Sequence, residues 1–126
     1  MHNKEVLLSK FEYIRDHIQT IINYTSDISN ADDYVNTVQG GILLDATIMR
    51  LQALGENLKQ IEQKAPEIFE KHPEVEWVKI IRFRDVISHH YEKLESEIIY
   101  EICTDFIPKL EKVIDKIIME INTSTN

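Results

Sequence analysis

Apolar side chains recur every three or four positions along most of this chain, the period of one face of an α-helix. Leu7, Phe11, Ile14, Ile18, Ile21 and Ile22 mark such a face on a first helix, expected over about Lys4–Tyr24. The stretch from Thr25 to Asn30 is rich in side-chain oxygens that can satisfy free backbone groups, and reads as a turn. A second, long helix is expected over about Ala31–Lys64, with Val35, Val38, Ile42, Met49, Ala53, Leu58 and Ile61 on its buried side. Gly40-Gly41 falls inside it. Interior glycines cost about 1 kcal/mol each relative to alanine, and are tolerated where another helix comes close or where the helix bends.

Pro66 and Pro73 stand where proline is tolerated, at first helical turns, and bracket a short helix around Glu67–Lys71. A further helix is expected to open near Pro73 and to carry Val75, Trp77, Val78, Ile80 and Ile81, with Trp77 read as a core or interface residue. The last helix is expected from about Leu94 to Ile121, kinked at Pro108. Its stripe of Ile99, Ile102, Phe106, Leu110, Val113, Ile117 and Ile121 is widened by Ile98, Ile107, Ile114 and Ile118. That width suggests a self-association face, most simply a symmetric dimer. The pattern therefore predicts an all-α protein. It is an up-down bundle of four main helices plus a short fifth, one domain over residues 1–122 with a flexible tail at 123–126.

Composition agrees with this picture. The chain has 126 residues, 43% of them apolar and 29% charged, with only three Gly and three Pro, which argues against a turn-rich β fold. A formal net charge of -8 excludes a general nucleic-acid binder, so any RNA contact has to be a local basic pocket in an acidic shell. One cysteine, Cys103, excludes an internal disulfide and any Cys-rich zinc site, and is expected to be a buried small apolar residue. No apolar run approaches the about 20 residues that span a bilayer. No signal-peptide apolar region follows Met1-His2-Asn3-Lys4-Glu5, so the expected compartment is the cytoplasm, with no membrane partner.

Chemistry concentrates in Arg84-Asp85-Val86-Ile87-Ser88-His89-His90-Tyr91. No histidine lies three residues after a Glu, and no phosphate-binding glycine loop or dinucleotide fingerprint is present. Neighbouring His89 and His90 point about 100° apart on a helix and make a poor metal pair. Neither a metal nor a cofactor is expected. Asp85 and His89 are four apart and share a helix face, as do Arg84 and Tyr91, seven apart. Arg84 and His89 lie roughly 140° apart on a regular helix, and converge only across a groove or where the helix unwinds. Two readings follow. In one, His89 transfers protons and Arg84 stabilises phosphate charge in metal-independent RNA cleavage. In the other, the cluster is a solvated, charged helix end.

Read as Arg84, Asp85, His89 and Tyr91, the cluster resembles the Arg-x4-His-x-Tyr motif of HepT-like proteins, a branch of the HEPN superfamily. Leu51-Gln52-Ala53-Leu54-Gly55-Glu56-Asn57-Leu58-Lys59 is similar to the family's hydrophobic-Gly-Glu segment. Trp77 to Tyr91, Ile98 to Ile102 and Phe106 to Leu110 follow its C-terminal half in order and spacing. The resemblance covers roughly residues 31–118. It implies a small helical bundle that dimerises, with the motif Arg and His lining a cleft at the dimer interface, and metal-independent ribonuclease activity on an RNA such as tRNA or mRNA. It also implies a toxin partnered by a minimal nucleotidyltransferase antitoxin, which transfers AMP onto the motif tyrosine.

Carried over by residue, Arg84 would hold the phosphate and His89 would transfer protons. Asp85, where the family commonly has Asn, would orient or polarise. Tyr91 would accept the AMP, whose charge and bulk would block the cleft. His90 could substitute for His89 or cap the helix end. Glu56 belongs to a segment near the family's cleft, or is a solvated helix residue. The alternative function is a non-catalytic HEPN subunit that binds nucleotide or partner for a nucleotidyltransferase.

Overall fold

The computed structural model describes residues 3–90 and 95–124, with the side chains of 88–90 left aside. It is built of helices, and no strand occurs among the described residues. Helix α1 spans Lys4–Thr25. Its N-terminus is closed by Asn3, whose side-chain oxygen accepts from the Val6 amide at 3.1 Å, and Glu5 sits favourably in the first turn. Phe11, Ile14, Ile18 and Ile21 are fully buried, as their spacing predicts.

The second helix begins later than its apolar pattern suggests. Ala31–Tyr34 form a separate 3₁₀ turn, and helix α2 runs Val38–Lys64. Each has its own N-terminal cap. Asn30 accepts from the Asp33 amide at 3.2 Å, and the Thr37 hydroxyl accepts from the Gly40 amide at 2.9 Å. The Asp33 carboxylate in turn accepts from the Ser29 amide at 2.7 Å. Gly40 explains itself here. A Cβ on it would lie 1.9 Å from the Asp33 carbonyl oxygen, so the close neighbour is the backbone of the 3₁₀ turn, not another helix.

The buried face of α2 also differs from the expected one. Leu58 and Ile61 are buried as expected, but Val35, Val38, Ile42 and Met49 are all more than half exposed. The core takes Ile48, Leu51, Leu54, Gly55, Leu58 and Ile61 instead. This helix carries two apolar stripes, and the buried one contains Gly55, where a neighbouring helix comes close.

Helix α3, Pro66–Glu70, is the short proline-led helix expected there. Helix α4, Trp77–His90, starts after Pro73 rather than at it. The intervening residues form a turn, because the His72 carbonyl accepts from the Trp77 indole at 2.9 Å and from the Val75 amide at 3.4 Å. His72 is itself held, buried, 2.8 Å from Glu120. Trp77 is a core residue as expected, stacked on Phe69 with ring centroids 4.2 Å apart.

The last expected helix is three pieces: α5, Ser96–Glu101; a π turn, Ile102–Phe106; and α6, Ile107–Thr123. Pro108 has no amide hydrogen for the Thr104 carbonyl, so a regular α ladder fails there. The chain adapts one residue earlier, where the Ile107 amide reaches back five residues to the Ile102 carbonyl. The distortion foreseen at Pro108 is thus a π turn before it. The broad stripe on α6 is used inside this chain: Ile107, Ile114 and Ile118 are buried against α1 and the rest of the core, and only Ile98 of the widening residues stays substantially exposed. The stripe's width is therefore no argument for self-association. Beyond the stripe, Lys4 bonds to the Ser124 carbonyl at 2.8 Å and the Asn122 carbonyl at 3.3 Å.

Helix α1 packs between α2 and α6, and α4 lies on α2. The side of α4 turned away from α2 borders a groove of about 850 Å³, whose far wall is α5, the π turn and the start of α6. Cys103 is buried in the π turn, and burial pushes its thiol up to about 12. No helix among the described residues is long and apolar enough to cross a membrane.

Candidate active site around Arg84

Helix α4 meets α2 at Gly55. A Cβ there would stand 2.7 Å from the Arg84 Cβ and 3.3 Å from the Ile80 carbonyl oxygen, so the two helices cross with no room for a methyl group. Ile80, Ile81 and Ile87 are buried on α4, while Arg82, Asp85 and Val86 are exposed. Arg84 falls between these sets. Its stem lies against Gly55 and its side chain keeps 23% exposure, enough for a solute to reach the guanidinium.

Among the described residues, two carboxylates bind that guanidinium. Nε donates to Glu56 of α2, and Nη1 donates to Asp85, the next residue along α4. The hydrogen bond to Glu56, then that to Asp85, raises the Arg84 pKa above its ordinary value, so the group is cationic at every working pH. The structure thus brings together three of the expected site residues, Arg84, Asp85 and Glu56. Glu56 is a partner of Arg84 and not a merely solvated helix residue. His89 and His90 belong to the last turn of α4 by backbone, their side chains lying outside the described residues, as does Tyr91 altogether. No group of three or more His, Cys, Asp or Glu side chains that could hold a metal occurs among the described residues.

Gly55, part of the hydrophobic-Gly-Glu segment in the sequence, is given a site role only by the structure. Its signal is a glycine in the middle of an otherwise strong run of helix formers, immediately before a carboxylate. A glycine there costs helix stability, so close approach is the physical reason to look for.

This arrangement can do electrostatic chemistry on an anion. A guanidinium held by a neighbouring helix presents a planar fork of donors suited to two phosphate oxygens. A family model described as Ribonuclease HepT-like matches residues 14–117, which spans α1 to α6 and includes the whole Arg84 cluster. The chain belongs to this HepT-like ribonuclease family of the HEPN superfamily. It is 30% identical over 108 residues to a protein of Methanocaldococcus jannaschii named "Putative RNase", a match covering 86% of this chain and 84% of the relative. A protein of Caldanaerobacter subterraneus with the same style of name is 30% identical over 109 residues, covering 86% and 91%. A longer M. jannaschii protein named "Gamma-glutamylcyclotransferase and putative RNase" is 28% identical over 114 residues, which is 90% of this chain but 48% of that relative. No solved structure matches the chain significantly.

Proposed function

We propose that this protein is a metal-independent endoribonuclease, with Arg84 binding and stabilising the scissile phosphate and His89 transferring protons. The observation that carries the reading is Arg84 itself. It is a partly exposed cation, locked at a helix crossing, in a chain of the HepT-like ribonuclease family. The cleavage needs no metal if a neutral imidazole accepts the 2'-hydroxyl proton while the attacking oxygen closes on phosphorus. The guanidinium then stabilises charge gathering on the non-bridging oxygens. A proton returned to the leaving 5'-oxygen completes the strand break. His90 is a second imidazole in the same helical turn.

The working form is proposed to be a homodimer. The groove beside α4 supports this, since Val78, Phe83, Val86, Ile98, Ile102 and Phe106 line it and Val78, Val86 and Ile98 are exposed. Its α4 side carries Lys79 and Arg82 beside Glu74 and Glu76, and its opposite wall carries Glu101 and Asp105 beside Lys109. A two-fold axis along the groove would set each wall against the opposite wall of the second copy and cover its exposed apolar residues. It would also bring two α4 helices to one interface, with Arg84 on the α2 side of each rather than in the groove.

The protein is further proposed to be the toxin of a pair, silenced when a nucleotidyltransferase antitoxin transfers AMP to Tyr91. An added anion close to the cleft would compete with RNA phosphate for Arg84. The test is expression without the nucleotidyltransferase. Wild type should arrest growth, while Arg84→Ala and His89→Ala should not. Normal growth with soluble wild type would refute the toxin reading and favour a non-catalytic subunit that binds the nucleotidyltransferase.

A further inference from the structure

The two carboxylates on Arg84 grip different atoms from different supports. Glu56 comes from α2 and binds Nε, the nitrogen beside the side-chain stem. It follows Gly55, where α2 and α4 are too close for a methyl group, so its place relative to Arg84 is set by the helix crossing. Asp85 comes from α4 itself, is half exposed, and binds Nη1 at the outer edge of the guanidinium. Adjacent residues on a helix do not face each other, so this second contact holds only while the arginine leans over toward Asp85. Together the three side chains carry one positive and two negative charges. These two acids oppose the approach of an anion to the guanidinium, within a chain of formal net charge -8.

We infer that the two acids act in opposite directions: Glu56 is a positioning residue for Arg84, whereas Asp85 is a resident competitor that an RNA phosphate must displace. The inference rests on the ribonuclease reading and deepens it by giving the site a built-in brake on substrate binding. A phosphate docks on a guanidinium by taking two of its N–H groups, and Asp85 already engages one of the outer nitrogens, Nη1. Displacing an exposed carboxylate costs little, because water solvates it as it leaves. Glu56 need not leave, since it holds the inner nitrogen and keeps the guanidinium plane aligned with α4.

The experiment is steady-state cleavage of a fluorescent single-stranded RNA oligonucleotide by the full-length protein, wild type against Asp85→Asn, Glu56→Ala and Glu56→Gln. It is paired with anisotropy binding of the non-cleavable 2'-O-methyl form of the same oligonucleotide. Asp85→Asn should lower KM and the binding Kd about three- to tenfold with little change in kcat, and the gain should shrink as salt rises. Glu56→Ala should lower kcat about ten- to a hundredfold with a smaller effect on KM, as expected for a misaligned group. Glu56→Gln retains an acceptor for Nε and should recover much of that loss, which a merely structural role would not predict. If Asp85→Asn weakens binding, or if both acids shift the same constant in the same direction, the inference is overturned while the ribonuclease stands. If wild type neither binds nor cleaves RNA, the ribonuclease reading falls and the inference with it.

Discussion

Gly55→Ala tests the packing at the site most severely. The added Cβ would lie 2.7 Å from the Arg84 Cβ, where carbon pairs normally rest at about 3.5–4.0 Å. The clash falls on a stem atom that cannot swing aside by a rotamer change, and the Ile80 carbonyl oxygen at 3.3 Å closes the other exit. Helix α4 must therefore retreat from α2 by close to 1 Å. Overpacking of this kind costs about 1–3 kcal/mol, and alanine returns about 1 kcal/mol in helix propensity. The net loss is about 0–2 kcal/mol, and each kcal/mol lowers Tm by roughly 3–5 °C in a domain of this size. Activity should suffer more than stability. Moving Arg84 by that distance should slow RNA cleavage about a hundredfold. Circular-dichroism melting and a tRNA cleavage assay on the same preparation read both effects. Wild-type cleavage by Gly55→Ala would refute the close-crossing argument, whatever the melting point.

Other consequences can be checked in the same way. The Tyr34 hydroxyl is buried with no hydrogen-bond partner among the described residues, so Tyr34→Phe should leave Tm unchanged or raise it, by up to about 1–3 kcal/mol of stability. His17 is buried with its Nδ1 3.1 Å from Arg50; burial first, and the Arg50 charge second, lower its pKa below 6.5, against a smaller opposing pull from Asp16. The unfolded chain then binds a proton that the folded chain refuses, so His17's contribution to stability is present above about pH 6.5 and is lost as pH falls toward the lowered folded value. Urea midpoints across that window should decline on acidification, and less steeply in His17→Gln. The Cys103 thiol, buried and pushed up to about 12, should resist a thiol reagent in the native state and react once the protein is unfolded.

Much of the fold is legible in the apolar periodicity because α1 and α6 each have one dominant face, and α3 is legible from its prolines. Helix α2 misleads because it has two such faces. Counting apolar matches selects Val38, Ile42 and Met49, whereas burial follows the stripe that contains Gly55, where α4 comes close. A periodicity argument weighs side-chain apolarity and is blind to how near a second backbone must come. The interruption before Pro108 is legible from the proline, but its repair as a π turn depends on where the Ile107 amide finds a carbonyl. At the site, the adjacency of Arg84 and Asp85 stands in the sequence. The Glu56–Arg84 pair does not, since 28 residues separate its members and only the Gly55 crossing brings them together.

Arg84 and His89 are proposed to cleave RNA without a metal. The most direct test of this is incubation of total RNA and of tRNA with purified protein in EDTA, with mass spectrometry confirming that the protein carries no AMP. Wild type should cut, and Arg84→Ala and His89→Ala should each be slowed about a hundred- to a thousandfold while remaining folded. Intact RNA after incubation with folded, unmodified wild type would contradict the account.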